Sequence, residues 1–321
     1  MATKANTSND KYLSNLIVKR AIGANRFIGK KIFVPYMAKD NENKYWKYDK
    51  SNFIIEDSRA DAASPAKLVD FDFTYGDFSM DRHKLSVKMD DDTFGAMDDA
   101  LKLGWQEKQV KFLMDKMELE AESLMLTALT TPGNYPSAHR LTGSGLAYIN
   151  GSNVDIFTDI FDPMIELLNS KGIQVNTFAC DSTVWKSIKN NGDFLARLNN
   201  SSNRNVSVSA FKELLSDPEN GTEISQVLVS NSVYRSSDQS SATDTFSYVA
   251  PAFCWFGYVD PSAPTLMSET FGKLMMSADT RRAVQTYRPD EIEADITKLI
   301  WKYKPEFISN ECGVILTSPL Q

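Results

Sequence analysis

Two histidines, His83 and His139, and three cysteines, Cys180, Cys254 and Cys312, are the chain's entire supply of imidazole and thiol. The histidines fall in different segments and no CxxC pair brings two thiols together. Neither an HExxH helix nor a Cys/His zinc site can be assembled from such a set. Scattered and odd in number, the thiols read as reduced and buried, neither bridged nor metal-bound. His83 reads as part of a strand-connecting turn and His139 as part of a loop, both with solvated imidazoles.

Other groups with chemical potential have plainer explanations. Ser209-Ala210-Phe211-Lys212 matches SxxK, in which a lysine one helical turn on activates a serine hydroxyl. No KTG follows, and a serine opening a helix is accounted for as an N-cap. Gly143 and Gly145 belong to a linker, and neither GxxxxGK[ST] nor GxGxxG occurs. Asp90, Asp91 and Asp92 lack the glycine and glutamate of a calcium loop and read as acids at a helix N-terminus. Lys44, Lys47 and Lys50 are interleaved with Tyr45, Trp46 and Tyr48. That pattern suits either stacking on single-stranded nucleic acid or a protein interface with a charged rim. The acidic body favours the interface. The expectation is a protein that is not an enzyme, with no cofactor and no metal.

Charge is unevenly spread. Residues 1–31 hold seven basic side chains against Asp10, a net of +6, so the other 290 residues carry −7 − 6 = −13. A basic arm on an acidic body suggests a tail that meets a polyanion or an acidic neighbour. The body itself is too acidic to read DNA. With 321 residues, 42% hydrophobic and 24% charged, the chain can fill two modest domains or one large one. No apolar run nears the roughly 20 residues that span a bilayer, so no membrane partner is expected.

The elements that would carry these residues follow from periodicity. Residues 68–75 and 84–89 alternate apolar and polar side chains, the mark of half-buried strands. Shorter strand-like pieces at 32–55, rich in aromatics and lysines, predict a β-arm that leaves its own domain and needs a partner. Over 92–130, Phe94, Met97, Leu101, Trp105, Phe112, Leu113, Met117, Leu124 and Met125 recur at helical spacing, with Gly104 the candidate point for a break. Short helices then alternate with strands: a helix closed by Gly172, a strand at 173–180, a helix capped by Asp181 or Ser182, and a helix at 209–216. The aromatic strands 245–250 and 252–259 read as a pair, making a compact α/β region. The segments 271–276, 296–303 and 312–318 should pair with one another and with the early strands.

In this order the chain resembles the major capsid proteins of tailed bacteriophages, the Hong Kong phage-type fold shared with encapsulins. The resemblance runs from about Lys30 to Leu320. It is carried by the extended-loop region 29–89, by "DKMELEAESLMLTAL", and by "FDPMIELLNSKGIQVNTFACDSTVWKSIKNNGDFLARL". The segment "FCWFGYVDPSAPTLMSETFGKLMM", a strand running through a proline turn, completes the succession.

The resemblance implies an α+β chain with four parts. These are an N-terminal arm (1–30), an extended loop with return strands (31–84), a peripheral domain (85–145 and 271–321) with a spine helix at about 92–130, and an inserted axial domain (146–270). It implies a coat protein that self-assembles through a procapsid into pentamers and hexamers of an icosahedral shell around double-stranded DNA. Tyr36, Lys44, Tyr45, Trp46, Lys47, Tyr48 and Phe53 would touch a neighbouring subunit. Lys4, Lys11, Lys19, Arg20 and Arg26 would face inward. Partners would be copies of the chain, a separate scaffolding protein, a portal and a decoration protein, with assembly in the host cytoplasm and residence in the virion. An encapsulin-type compartment is the alternative, and an α/β hydrolase the outsider.

Overall fold

The computed structural model describes residues 8–9, 27–40, 42–48, 58–59, 73–97, 104–151, 154–200, 207–216, 222–237, 245–262, 266, 269–277, 283–289 and 291–321. Its longest strand, β14 (Ala294–Phe307), organises the first of two large sheets. Along one edge of β14 runs antiparallel β5 (Asp81–Asp90); β13 (Ala283–Tyr287) and β12 (Gly272–Ser277) share its other edge. Strand β2 (Phe33–Ala38) then joins β12 in parallel, and the short β1 (Ser8–Asn9) lies antiparallel to β13. Residues 271–276 and 296–303 thus do pair with one another and with early strands.

Across this sheet lies the long helix α3 (Trp105–Thr130), with Gly104 as its N-cap. Its 26 residues span about 39 Å at 1.5 Å each. The buried stripe is Val110, Leu113, Met114, Met117, Ala121, Met125 and Leu129, spaced at three and four. Phe112, read from sequence as part of the stripe, is 51% exposed, with the Lys116 ammonium 5.0 Å from its ring centroid. Leu124 is exposed too. Each adjoins a buried residue in sequence, and one residue along a helix turns a side chain about 100° off the stripe. Upstream, Asp91–Gly95 forms a separate short helix, α2, while residues 98–103 lie outside those described. No side chain caps α2; Asp91 instead pairs with Arg288.

The second sheet has the order β6 (Arg140–Thr142), β15 (Gly313–Thr317), β11 (Phe253–Gly257), β7 (Thr177–Asp181) and β8 (Gln226–Ser230). Two expected pairings are overturned here. Strand β15 joins this sheet between β6 and β11, not the early strands. Phe246–Tyr248, strand β10, pairs with β9 (Val233–Arg235) and leaves β11 to β7 and β15. The physical reason is two-sided burial: every residue of β7 and β11 is buried. Ala179, Phe253, Trp255 and Ile315 face the core shared with α3. Phe178, Cys180, Cys254, Phe256, Val314 and Leu316 face the opposite core. A run such as Val314-Ile315-Leu316 needs apolar cover on both faces, which the middle of this sheet supplies.

That opposite core is filled by α4 (Asp162–Asn169), α5 (Ser182–Asn190), α6 (Gly192–Asn200) and α7 (Val208–Leu215). A π-helical turn, Ile156–Phe161, leads into α4. Phe161, Phe178, Phe211 and Phe256 meet at ring-centroid distances of 4.8–5.8 Å. Asp181 caps α5 by accepting the Thr183 N–H, and Gly172 takes the expected left-handed conformation (φ 76°) after α4. Helix α7 is capped by Ser207, not Ser209: the Ser207 hydroxyl accepts the Ala210 N–H. All three thiols are free and buried, and burial raises the pKa of each.

Candidate assembly interface

Three features stand where this chain could meet another molecule: the root of the N-terminal arm, a two-stranded ribbon, and the cleft at the ribbon's base. The arm's root is the short helix α1 (Gly29–Ile32). The Glu122 carboxylate on α3 accepts the N–H groups of Ile28 (3.1 Å) and Gly29 (2.9 Å), and the Ser232 hydroxyl donates to it at 3.4 Å. A Cβ at position 29 would lie 2.6 Å from Glu122 Oε2, so a larger residue there would displace the carboxylate. Lys30 pairs with Glu118 one turn back (3.3 Å). Burial pushes the Glu122 carboxyl above its ordinary range, against the pull of these hydrogen bonds. The basic arm proper, Lys4, Lys11, Lys19, Arg20 and Arg26, lies outside the described residues.

The ribbon pairs β3 (Glu42–Tyr48) with β4 (Phe73–Ser79). One face carries Tyr45, opposite Gly76, and Phe78; both aromatic side chains are buried with Met275 and Ile308 of the chain's own body. Tyr45 donates its hydroxyl to the Phe307 carbonyl (3.0 Å). Desolvation, then the charges of Glu306 and Asp77, push its pKa up to about 12. At 2% exposure Tyr45 anchors the ribbon to the chain's own body.

The opposite face presents Lys44, whose ammonium lies 5.8 Å from the exposed Tyr75 ring. Trp46 stands opposite Tyr75 in the register. Lys47 reaches over Tyr45 at 5.5 Å, and Tyr36 is half-buried beneath Lys273 at 5.6 Å. Tyr48 ends the described part of β3, and Phe53 lies outside the described residues. The alternation of "FTYGDFS" could have marked Tyr75 from the sequence; only the fold shows which face it takes.

A cleft of about 900 Å³ opens where the ribbon meets the body, lined among others by Lys47, Lys171, Asp260, Glu269, Glu306 and Glu311. No group of three or more potential metal ligands occurs among the described residues. His139, expected in solvent, is fully buried behind the cleft. The Gly313 carbonyl lies 2.8 Å from its Nδ1, and the Lys171 ammonium sits against its Nε2. His83 lies within β5 rather than in a turn, stacked on Tyr303 at 4.0 Å with Nδ1 against Glu120. Ser209 shares a hydrogen bond with Ser207 (2.9 Å), a contact that builds a helix end and no nucleophile. Glu122 was missed at the sequence level, although a glutamate four residues after Glu118 beside an apolar stripe is a readable signal.

A long helix across a β14-centred sheet, with a doubly buried sheet and four helices beyond it, is the α+β fold of phage capsid proteins and encapsulins. A phage-related protein from Bordetella bronchiseptica RB50 matches with a TM-score of 0.72 over 96% of each chain, at 19% identity. The capsid of the cyanophage P-SCSP1u matches with a TM-score of 0.55 over 92% of this chain and 89% of that one, at 10% identity. The SrpI encapsulin of Synechococcus elongatus PCC 7942 also reaches 0.55, over 91% and 86%, at 7% identity. No family model matches the sequence, and no curated protein does.

Proposed function

We propose that this protein is the coat subunit of an icosahedral phage shell, self-assembling as pentamers and hexamers around double-stranded DNA. The observation that carries this reading is the co-linear likeness to the Bordetella phage-related protein over 96% of both chains, joined by that to a cyanophage capsid. In this reading the ribbon lies across a neighbouring subunit, presenting Lys44 and Tyr75, while Tyr45 holds its base. The arm bearing Lys4, Lys11, Lys19, Arg20 and Arg26 faces the packaged DNA from its root on Glu122. The peripheral domain comprises 85–145 and 271–321, and the axial domain 146–270, with β15 bridging the two. A scaffolding protein, a portal and a decoration protein are the partners it calls for, with assembly in the host cytoplasm.

The test is to purify the full chain and examine it by electron microscopy and sedimentation. Closed particles or capsomers are expected; a strictly monomeric chain at high concentration overturns the reading. An encapsulin-type compartment is the second reading, favoured by the equal TM-score to the SrpI encapsulin. Particles from the native source that carry nucleic-acid absorbance decide for the capsid, and protein-filled particles for the compartment.

A further inference from the structure

We infer that the hairpin of β9 and β10 docks onto a second copy of this chain; the inference rests on the shell reading and names one of its contacts. The two strands pair with each other and with no other strand among the described residues. Their register puts Arg235 beside Phe246 and Val233 beside Tyr248 on one face, and Tyr234 beside Ser247 on the other. Phe246 is 66% exposed, Val233 41%, Tyr248 39% and Tyr234 44%. Both faces therefore keep apolar side chains open to solvent.

Backbone hydrogen bonds continue the pairing past both ends of the two strands. The Val249 N–H bonds to the Ser232 carbonyl and the Ser236 N–H to the Thr245 carbonyl, each at 2.9 Å. At the root, Ser232 also donates to Glu122. In the sequence, residues 236–245 between the two strands are Ser, Asp, Gln, Ala and Thr only, so the apolar positions are flanked by a polar stretch, and interface cores have polar rims.

The size of the patch selects the occupant. Phe246, Val233 and Tyr248 together expose on the order of 300 Å² on one face, the size of the largest apolar patch of a typical monomer, which is often functional. A stable pair of proteins covers about 800 Å² on each partner, so this hairpin could not hold an unrelated protein alone. It suits a partner already placed by further contacts, which a neighbouring copy in a ring is. Arg235, on the same face as Phe246, suits an acidic neighbour, and the chain outside residues 1–31 carries a net −13.

Two measurements test this on the full chain. Phe246→Asp should leave the melting temperature of the unassembled subunit unchanged and raise the concentration needed for assembly at least about tenfold. In parallel, p-benzoylphenylalanine at position 246 should, on irradiation of particles mixed from ¹⁴N and ¹⁵N chains, give cross-links joining two isotopically different copies. Normal assembly of Phe246→Asp, or cross-links confined within one chain, overturns the docking while leaving the shell reading intact. A wild-type chain that never assembles overturns the shell reading, and the docking with it.

Discussion

Glu122 Oε2 lies 2.9 Å from the backbone nitrogen of Gly29, and this contact, in the middle of a long helix, fixes where the chain at Gly29 meets the body. Helix α1 begins at Gly29, so the carboxylate sits at the helix end whose N–H groups have no partner of their own. The missing Cβ of Gly29 lets the two groups approach.

Glu122→Ala should therefore leave two buried N–H groups unpaired and destabilise the subunit by about 2–4 kcal/mol. Urea unfolding measures the loss, and hydrogen exchange should show it concentrated at residues 27–32. A loss below about 0.5 kcal/mol would mean that the arm's root is held by other contacts.

The same carboxyl makes stability depend on pH. Its pKa is raised in the folded state, chiefly by burial. The native state thus holds that proton more tightly than the unfolded chain does. Its stabilising contribution is complete below the unfolded pKa and is lost as pH rises through the folded one. Glu122→Gln has no such dependence, so the stability of the variant minus that of wild type should shift in the variant's favour from about pH 4 to 7. A flat difference across that range would refute this.

At the ribbon, Tyr45→Phe removes the hydroxyl that donates to Phe307 and should cost about 1 kcal/mol. Ultraviolet titration of wild type should show one tyrosine ionising near pH 12 that the variant lacks. The neutral phenol supports stability fully below about pH 10, and that support is lost as pH rises through 12. Gly76→Ala should dislodge the same ring, because the added Cβ would stand 2.3 Å from it, at a cost of about 1–3 kcal/mol. A Gly76→Ala variant with an unchanged tyrosine titration would contradict that geometry.

In the opposite core, Phe256 is fully buried, with its ring 4.8 Å from that of Phe178 and 5.6 Å from that of Phe161. Phe256→Ala should cost about 3–5 kcal/mol in thermal or urea unfolding. Phe112→Ala, on the exposed side of α3, should stay within about 0.5 kcal/mol in the unassembled subunit. Equal losses would mean that the two positions share a comparable environment.

Local signals carried much of the architecture. The spacing of Leu113, Met117 and Met125 marks a long amphipathic helix, Leu85, Val87 and Met89 mark a strand, and Asp181 and Gly172 mark helix ends. The order of these elements was enough to suggest the capsid fold without any catalytic motif. Tertiary structure alone decided which strands pair, so that β15 stands beside β11 and β10 beside β9. It also decided that Tyr45 turns inward, that His139 is buried against Gly313 and Lys171, and that Glu122 grips the arm's root. The reason is physical: periodicity records which side chains share a face, through contacts a few residues apart. What covers that face comes from segments tens to hundreds of residues away, and a sequence pattern holds no record of that distance.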